Sequence, residues 1–465
     1  MKSLIVLASA LAAVCARAGL DVSVTSVGQD ERRAVVVDYV LFGASAIVTA
    51  SFETNAVDET TGETVWAPIS GENVKSVAGE INRIVSAGAH SFSWKVTKDW
   101  RGRTIPAGGI RVKLEAKSVY DPPDYLVVDL EKDEDAVRYY ASADGVPGGV
   151  GDAAYKTTKL LMRRIHAANV PFRMGGAAYD DKRVLPRERP RMVTLTEDFY
   201  IGVYEFTQRQ YELVAGFEGS TVANRTPSKS KSVVNAAMRP VTNIQASHLR
   251  GATADYSWIR DGHDVSATLP MGLLRGRYGF AFDLPTSAQW EFAARGGTTT
   301  PYISGAYAAD SDDWGQENSH KMDDYAWSLF KHDDDDGDLY DYSYFDAGQN
   351  KVITVDKGSV PHVVGKLKAN AFGLYDVFGN VNEICLDWYW TTSNDYDCLA
   401  DVIDPKGPPT PSTDNNYATQ TMAGGSCVTG GQGGNVTYLR SSSRFTWNNA
   451  LVGNGFRICC PAVAH

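Results

Sequence analysis

This chain is short of positive charge, of long apolar runs, of histidine in ligand spacing and of cysteine outside its last fifth. Its 465 residues carry 45 Lys and Arg against 56 Asp and Glu, a net charge of -11. An acidic chain without a basic run lacks the footprint that displaces counterions from phosphates, which excludes a nucleic-acid partner. The one apolar run, Leu4 to Val14, is too short to span a bilayer. Lys2 precedes it and Ala16-Arg17-Ala18 follows, so residues 1–18 read as a signal peptide cleaved after Ala18. The expected product is exported (periplasmic, cell-surface or secreted) and keeps no transmembrane anchor.

Catalytic signatures are also missing. The eight histidines, among them His248, His263, His320, His332 and His362, show no metal-ligand spacing, and His362 reads as a packed turn residue. "GGSCV" (424–428) departs from a nucleophile elbow at Val428, and "TGGQGGNV" (429–436) follows no phosphate-loop pattern. Leaving Cys15 aside, the cysteines are Cys385, Cys398, Cys427, Cys459 and Cys460. In an exported chain Cys427 is expected to bond to Cys385, Cys398 or one of the last two. The odd count leaves one thiol over. Neighbours on a strand face opposite ways, so Cys459 and Cys460 are expected to have separate partners.

What is present divides the chain. Residues 19–130 hold six strand-like segments separated by turns: "DVSVTSV", "AVVVDYVLF", "AIVTASFET", "FSWKVT", "IRVKLEA" and "YLVVDL". Their alternation predicts an all-β sandwich, nearest to the immunoglobulin or fibronectin III plan. Residues 131–156, acidic and then rich in Gly and small residues, read as a linker. Residues 157–465 form a second domain with few helices. "TQRQYELVAG" has Thr207 as N-cap and Gly216 as stop. "TSAQWEFAARGG" has Thr286 and Gln289 as a capping box and Gly296 as terminator.

Seven segments then occur in order: "FRMGG" (172–176), "FYIGVYEFTQRQYELVAG" (199–216), "RPVTNI" (239–244), "LPTSAQWEFAARGG" (284–297), "NAFGLYDVFGNVNE" (370–383), "GGS" (424–426) and "GFR" (455–457). Together they resemble the formylglycine-generating enzyme, or sulfatase-modifying factor, family over roughly residues 157–460. The resemblance implies an irregular α+β domain of the C-type-lectin type, often held by structural calcium. By that resemblance Asp376 and Glu383 match side-chain calcium ligands, and Gly379 and Val381 match carbonyl ligands. The residues alone leave a second reading open, a helix start with Asn380 as N-cap and Glu383 at N3. A further calcium loop in the acidic insertion "HDDDDGDLYDYSYFD" (332–346) lacks its first and last ligands, because His332 and Ser343 stand there.

The family's oxidase holds copper(I) between two close cysteines after the GGS motif. Here those positions fall among Thr429 to Val436, where no cysteine stands, so copper is disfavoured. The expectation is an exported, calcium-stabilised, non-catalytic binding or structural module. Its partner is an exported protein, peptide or glycan, met by Tyr438, Phe445, Trp447, Asn448 and Asn449. Phe456 is expected in the core. The alternative is a formylglycine-generating-type oxidase or another metal-dependent enzyme acting on sulfatases or other exported substrates.

Overall fold

The structure is a computed structural model. It describes residues 19–57, 60–102, 108–177, 180, 183–185, 187–228, 234–251, 265–305, 322–328, 342–346, 351–355, 361–390, 397–400, 402–412, 419–427, 435–446 and 453–463. The signal-peptide reading, the acidic run 332–341, His263, His320, Trp447, Asn448 and Asn449 lie outside these residues.

Two compact units emerge, one of residues up to Val128 with Val137–Asp152, the other of Asp129–Ala136 with Ala153–His465. In the first, Asp21–Gln29, Val35–Phe42, Gly88–Trp94 and Val77–Gly79 form one antiparallel sheet in that order. In a second sheet Ala46–Val57 is central, with Thr64–Pro68 and Arg83–Val85 along one side and Ile110–Ser118 along the other. All six predicted segments contain a strand, but "FSWKVT" leaves its strand after Trp94.

Alternation explains the burial. Val35, Val37, Tyr39 and Leu41 face inward from one sheet, and Ala46, Val48, Phe52 and Val112 from the other, into a shared core. The Phe52 ring lies 4.8 Å from Trp94. Val96, expected on one strand face with Phe92 and Trp94, is buried as they are but opens the helical turn Val96–Asp99. The stretch 131–156 carries elements of its own: the strand Val137–Tyr140, antiparallel to Tyr125–Asp129, and the tight turns Ala143–Gly145 and Ala153–Lys156. Buried Tyr139, Tyr140, Val146 and Tyr155 anchor them.

The second unit is built from short strands and short helices. Lys159–Ile165, Phe199–Gly202 and Cys459–Pro461 lie side by side, antiparallel. Asn382–Trp388 runs between Gln420–Ala423 and Asn454–Gly455. Both predicted helices form where their caps place them. Gln208–Ala215 starts on a Thr207–Gln210 capping box, and Ser287–Arg295 on a Thr286–Gln289 box with Gly296 left-handed at its end. The sequence reading did not separate out the helix Pro270–Tyr278.

The helix start at Asn380 is corrected. Asn380 has φ +55, and the residues after Val381 are the strand Asn382–Trp388, paired on both sides. Paired neighbours satisfy the backbone that a capping box would otherwise serve. Gly379 is required on steric grounds. It has φ +77, and a Cβ there would sit 2.1 Å from the Trp327 carbonyl oxygen, where only glycine fits.

Candidate functional site

The strand Asn382–Trp388 and the turn before it place the candidate calcium residues. Glu383 is fully buried, and its carboxylate is committed: Arg457 Nη2 donates to Oε1 at 2.7 Å and Trp290 Nε1 to Oε2 at 2.7 Å. Asp376, buried and at φ +54, accepts the Gly365 N–H at 2.6 Å through Oδ2. Its Oδ1 is buried without a partner. The Val381 N–H donates to Glu205, as does Asn380 Nδ2.

Three carboxylates, Glu205, Asp376 and Glu383, therefore share this region with two cations, Arg457 and Lys156. Burial raises Glu205 well above the usual carboxylate range, and the neighbouring Asp376 and Glu383 add to it. Burial likewise raises Asp376 to about 6, against the Gly365 hydrogen bond and Arg457. Among the described residues no three His, Cys, Asp or Glu side chains converge to hold a metal ion. A cation here would thus take Asp376 Oδ1 and backbone carbonyls, with Glu383 shared with Arg457. The residues fit calcium in part.

The GGS and GFR segments close the same core. A Cβ on Gly424 would meet the Val377 carbonyl oxygen at 2.8 Å. Phe456 is buried as expected and stacks on Phe206 with ring centroids 4.8 Å apart. His362 is buried against Trp327, with ring centroids 3.9 Å apart, and its N–H donates to Asn380 Oδ1.

The expected disulfide of Cys427 is not formed. Cys385, Cys398, Cys427, Cys459 and Cys460 are free and buried. Cys385 and Cys459 pack as small apolar side chains in the main core of this unit. Burial pushes the Cys385, Cys427, Cys459 and Cys460 thiols far up, with Glu205 adding to the effect at Cys427. A thiolate reagent is expected to label none of the five in the native protein and all of them once it is unfolded. Rapid native labelling of Cys427 would show that its thiol is accessible after all.

A second region was not legible as a site. Arg440 donates to Asp180 at 2.7 Å and to Glu188 at 2.5 Å, all three buried. Arg444 donates to Glu291, whose other oxygen holds Arg295. Glu188, Arg440 and Arg444 from these pairs line a cleft of about 320 Å³ together with Arg187, Tyr389, Thr437, Tyr438, Ser443 and Phe445, among others. Of the two residues expected on a recognition surface, Tyr438 is half-buried and Phe445 is buried, their ring centroids 4.6 Å apart. Against the expectation of no basic run, "RVLPRERPR" (183–191) carries four arginines. The FRMGG glycines hold this loop. Gly176 N–H donates to the Glu188 carbonyl, and a Cβ on Gly175 would meet the Arg189 carbonyl oxygen at 2.5 Å.

A protein of Paenibacillus barcinonensis named chaperone protein LppX is 28% identical over 238 residues, 47% of this chain and 69% of that one. A formylglycine-generating enzyme of Thermomonospora curvata is 33% identical over 131 residues, 27% of this chain and 34% of the enzyme. The match thus spans about a third of the enzyme's length. The solved structure of Treponema denticola variable protein 1 superposes with a TM-score of 0.38 at 23% identity, over 65% of this chain and 95% of that one. The family model for the sulfatase-modifying factor enzyme 1-like domain matches residues 161–459, and the chain belongs to that family.

Proposed function

We propose that this protein is an exported, non-catalytic binding or structural member of its family, with a calcium-stabilised C-terminal domain of the C-type-lectin type. The N-terminal sheets are read as an immunoglobulin- or fibronectin III-like sandwich that carries it. One observation supports the non-catalytic reading above the rest. Cys427, the one cysteine near the position that the family's copper chemistry uses, is buried and held as a neutral thiol. No cysteine stands from Val428 to Val436 to complete a pair. Copper(I) needs soft thiolates. The likeness to a protein named as a chaperone is compatible with a role outside oxidation. The partner would be an exported protein, peptide or glycan.

Incubating the protein and copper with a peptide carrying Cys-x-Pro-x-Arg tests this, with thiol loss measured by mass. No conversion is expected. Stoichiometric conversion would establish the alternative, a formylglycine-generating-type oxidase.

The calcium part has its own test. Asp376 titrates near 6 when folded, against a reference of 3.8. Between those values the folded state binds more protons than the unfolded state, so stability falls as pH rises through that window and is flat above it. The penalty at neutral pH is on the order of 2–3 kcal/mol. Calcium at Oδ1 would offset it. The parent is therefore expected to melt higher with calcium than with chelator at pH 7. Asp376→Asn, which suits a left-handed backbone, should melt above the chelated parent and ignore calcium. A parent indifferent to calcium at pH 7 removes the ion from the account.

A further inference from the structure

We infer that the cleft beside Arg187 binds an acidic sugar, with a carboxylate or sulfate group on Arg187 and the ring against Tyr438. This deepens the binding-module reading and rests on it.

Charge within the cleft carries the first half. Arg440 is consumed by Asp180 and Glu188, and Arg444 by Glu291. Arg187 differs. Its guanidinium lies 5.0 Å from the Tyr389 ring centroid, and its Nε is shielded from solvent with no hydrogen-bond partner among the described residues. A guanidinium held over an aromatic face keeps its in-plane donors directed outward along its edge. A shielded donor left unpaired is costly, and an anionic oxygen is the partner that relieves it most. In a chain of net charge -11 the arginine-rich stretch 183–191 that carries Arg187 is a local exception.

The rest of the wall carries the second half. Tyr438 is half-buried and rests on Phe445, which leaves part of an aromatic ring at the opening. Thr437 and Ser443 add hydroxyl groups to the lining. The volume, about 320 Å³, is at the small end of ligand sites. Among the described residues, one cation without a carboxylate partner, an aromatic platform and hydroxyl groups match a single anionic group carried on a polyhydroxylated ring. An acidic peptide would call for several cations, and here the others are committed to carboxylates.

The test titrates the full chain with trigalacturonate, a 6-sulfated disaccharide and neutral maltotriose, followed by calorimetry. One acidic probe is expected to bind and maltotriose is not, and which one binds separates carboxylate from sulfate. Arg187→Gln should lower the affinity by about tenfold to a hundredfold with an unchanged melting temperature. Arg187→Lys should retain part of it, and Tyr438→Ala should weaken it. The inference is overturned if neither acidic probe binds at about 10 mM, if maltotriose binds equally, if Arg187→Gln binds as the parent does, or if a tetraglutamate peptide competes as well as the sugar. None of these results bears on the oxidase alternative, which the peptide-conversion assay decides separately.

Discussion

Arg457→Met is expected to destabilise the C-terminal unit by about 3–5 kcal/mol, a fall in Tm of roughly 10 °C for a domain of this size. Arg457 is fully buried and donates to both oxygens of Glu383, to the Gly202 carbonyl at 2.8 Å and to the Tyr375 carbonyl at 2.8 Å. Methionine fills much of the volume but leaves Glu383 beside Asp376 and Glu205 with Lys156 as the remaining cation. The cost comes from an uncompensated buried charge rather than from lost area. Adding Glu383→Gln should recover part of the loss, because the stranded charge is then gone while the Trp290 hydrogen bond can remain. Urea denaturation of the parent and the two variants measures this. An Arg457→Met midpoint within experimental error of the parent would mean that this pair does not hold the core.

Arg440→Met is expected to cost a comparable amount, about 3–5 kcal/mol, with a pH dependence that the first variant's carbonyl contacts would blur. Asp180 and Glu188, both fully buried, lose their shared cation. Burial already holds the Glu188 carboxyl above its usual range against the pull of Arg440, and without that guanidinium it rises further above its unfolded value. Between the two, the folded state binds more protons, so the variant gains stability relative to the parent as pH falls from 7 toward 5. Thermal melts at the two pH values read this directly. A deficit that is constant across that range would show that packing, not charge, is what Arg440 supplies. Such a variant should also loosen the loop that carries Arg187, because Glu188 is its neighbour.

The parts of this molecule written in local sequence were readable. Thr207, Gln210 and Gly216, or Thr286, Gln289 and Gly296, specify a helix within one or two turns of chain. Alternation in "IRVKLEA" fixes which face of Ile110–Ser118 is buried. The motif order placed the family domain as well. What escaped was long-range pairing. Nothing near Arg440 announces Glu188, 252 residues away in sequence, and nothing near Glu383 announces Arg457, 74 residues on. The acidic reading of Glu383 as a ligand and its observed bond to Arg457 use the same carboxylate oxygens, and only the third dimension brings the guanidinium there. The helix start at Asn380 failed for a related reason. The strand Asn382–Trp388 takes its conformation from partners on either side, both distant in sequence. Cysteine spacing says nothing about where in the core each thiol packs, so the free, buried state of all five is not legible from sequence.

A calcium-stabilised domain without redox-metal chemistry is tested most directly by elemental analysis of the protein purified without chelator. The prediction is stoichiometric calcium, lost in Asp376→Asn, with copper and iron at background. Stoichiometric copper or iron in the parent, with calcium absent, would contradict the claim and put the oxidase reading in its place.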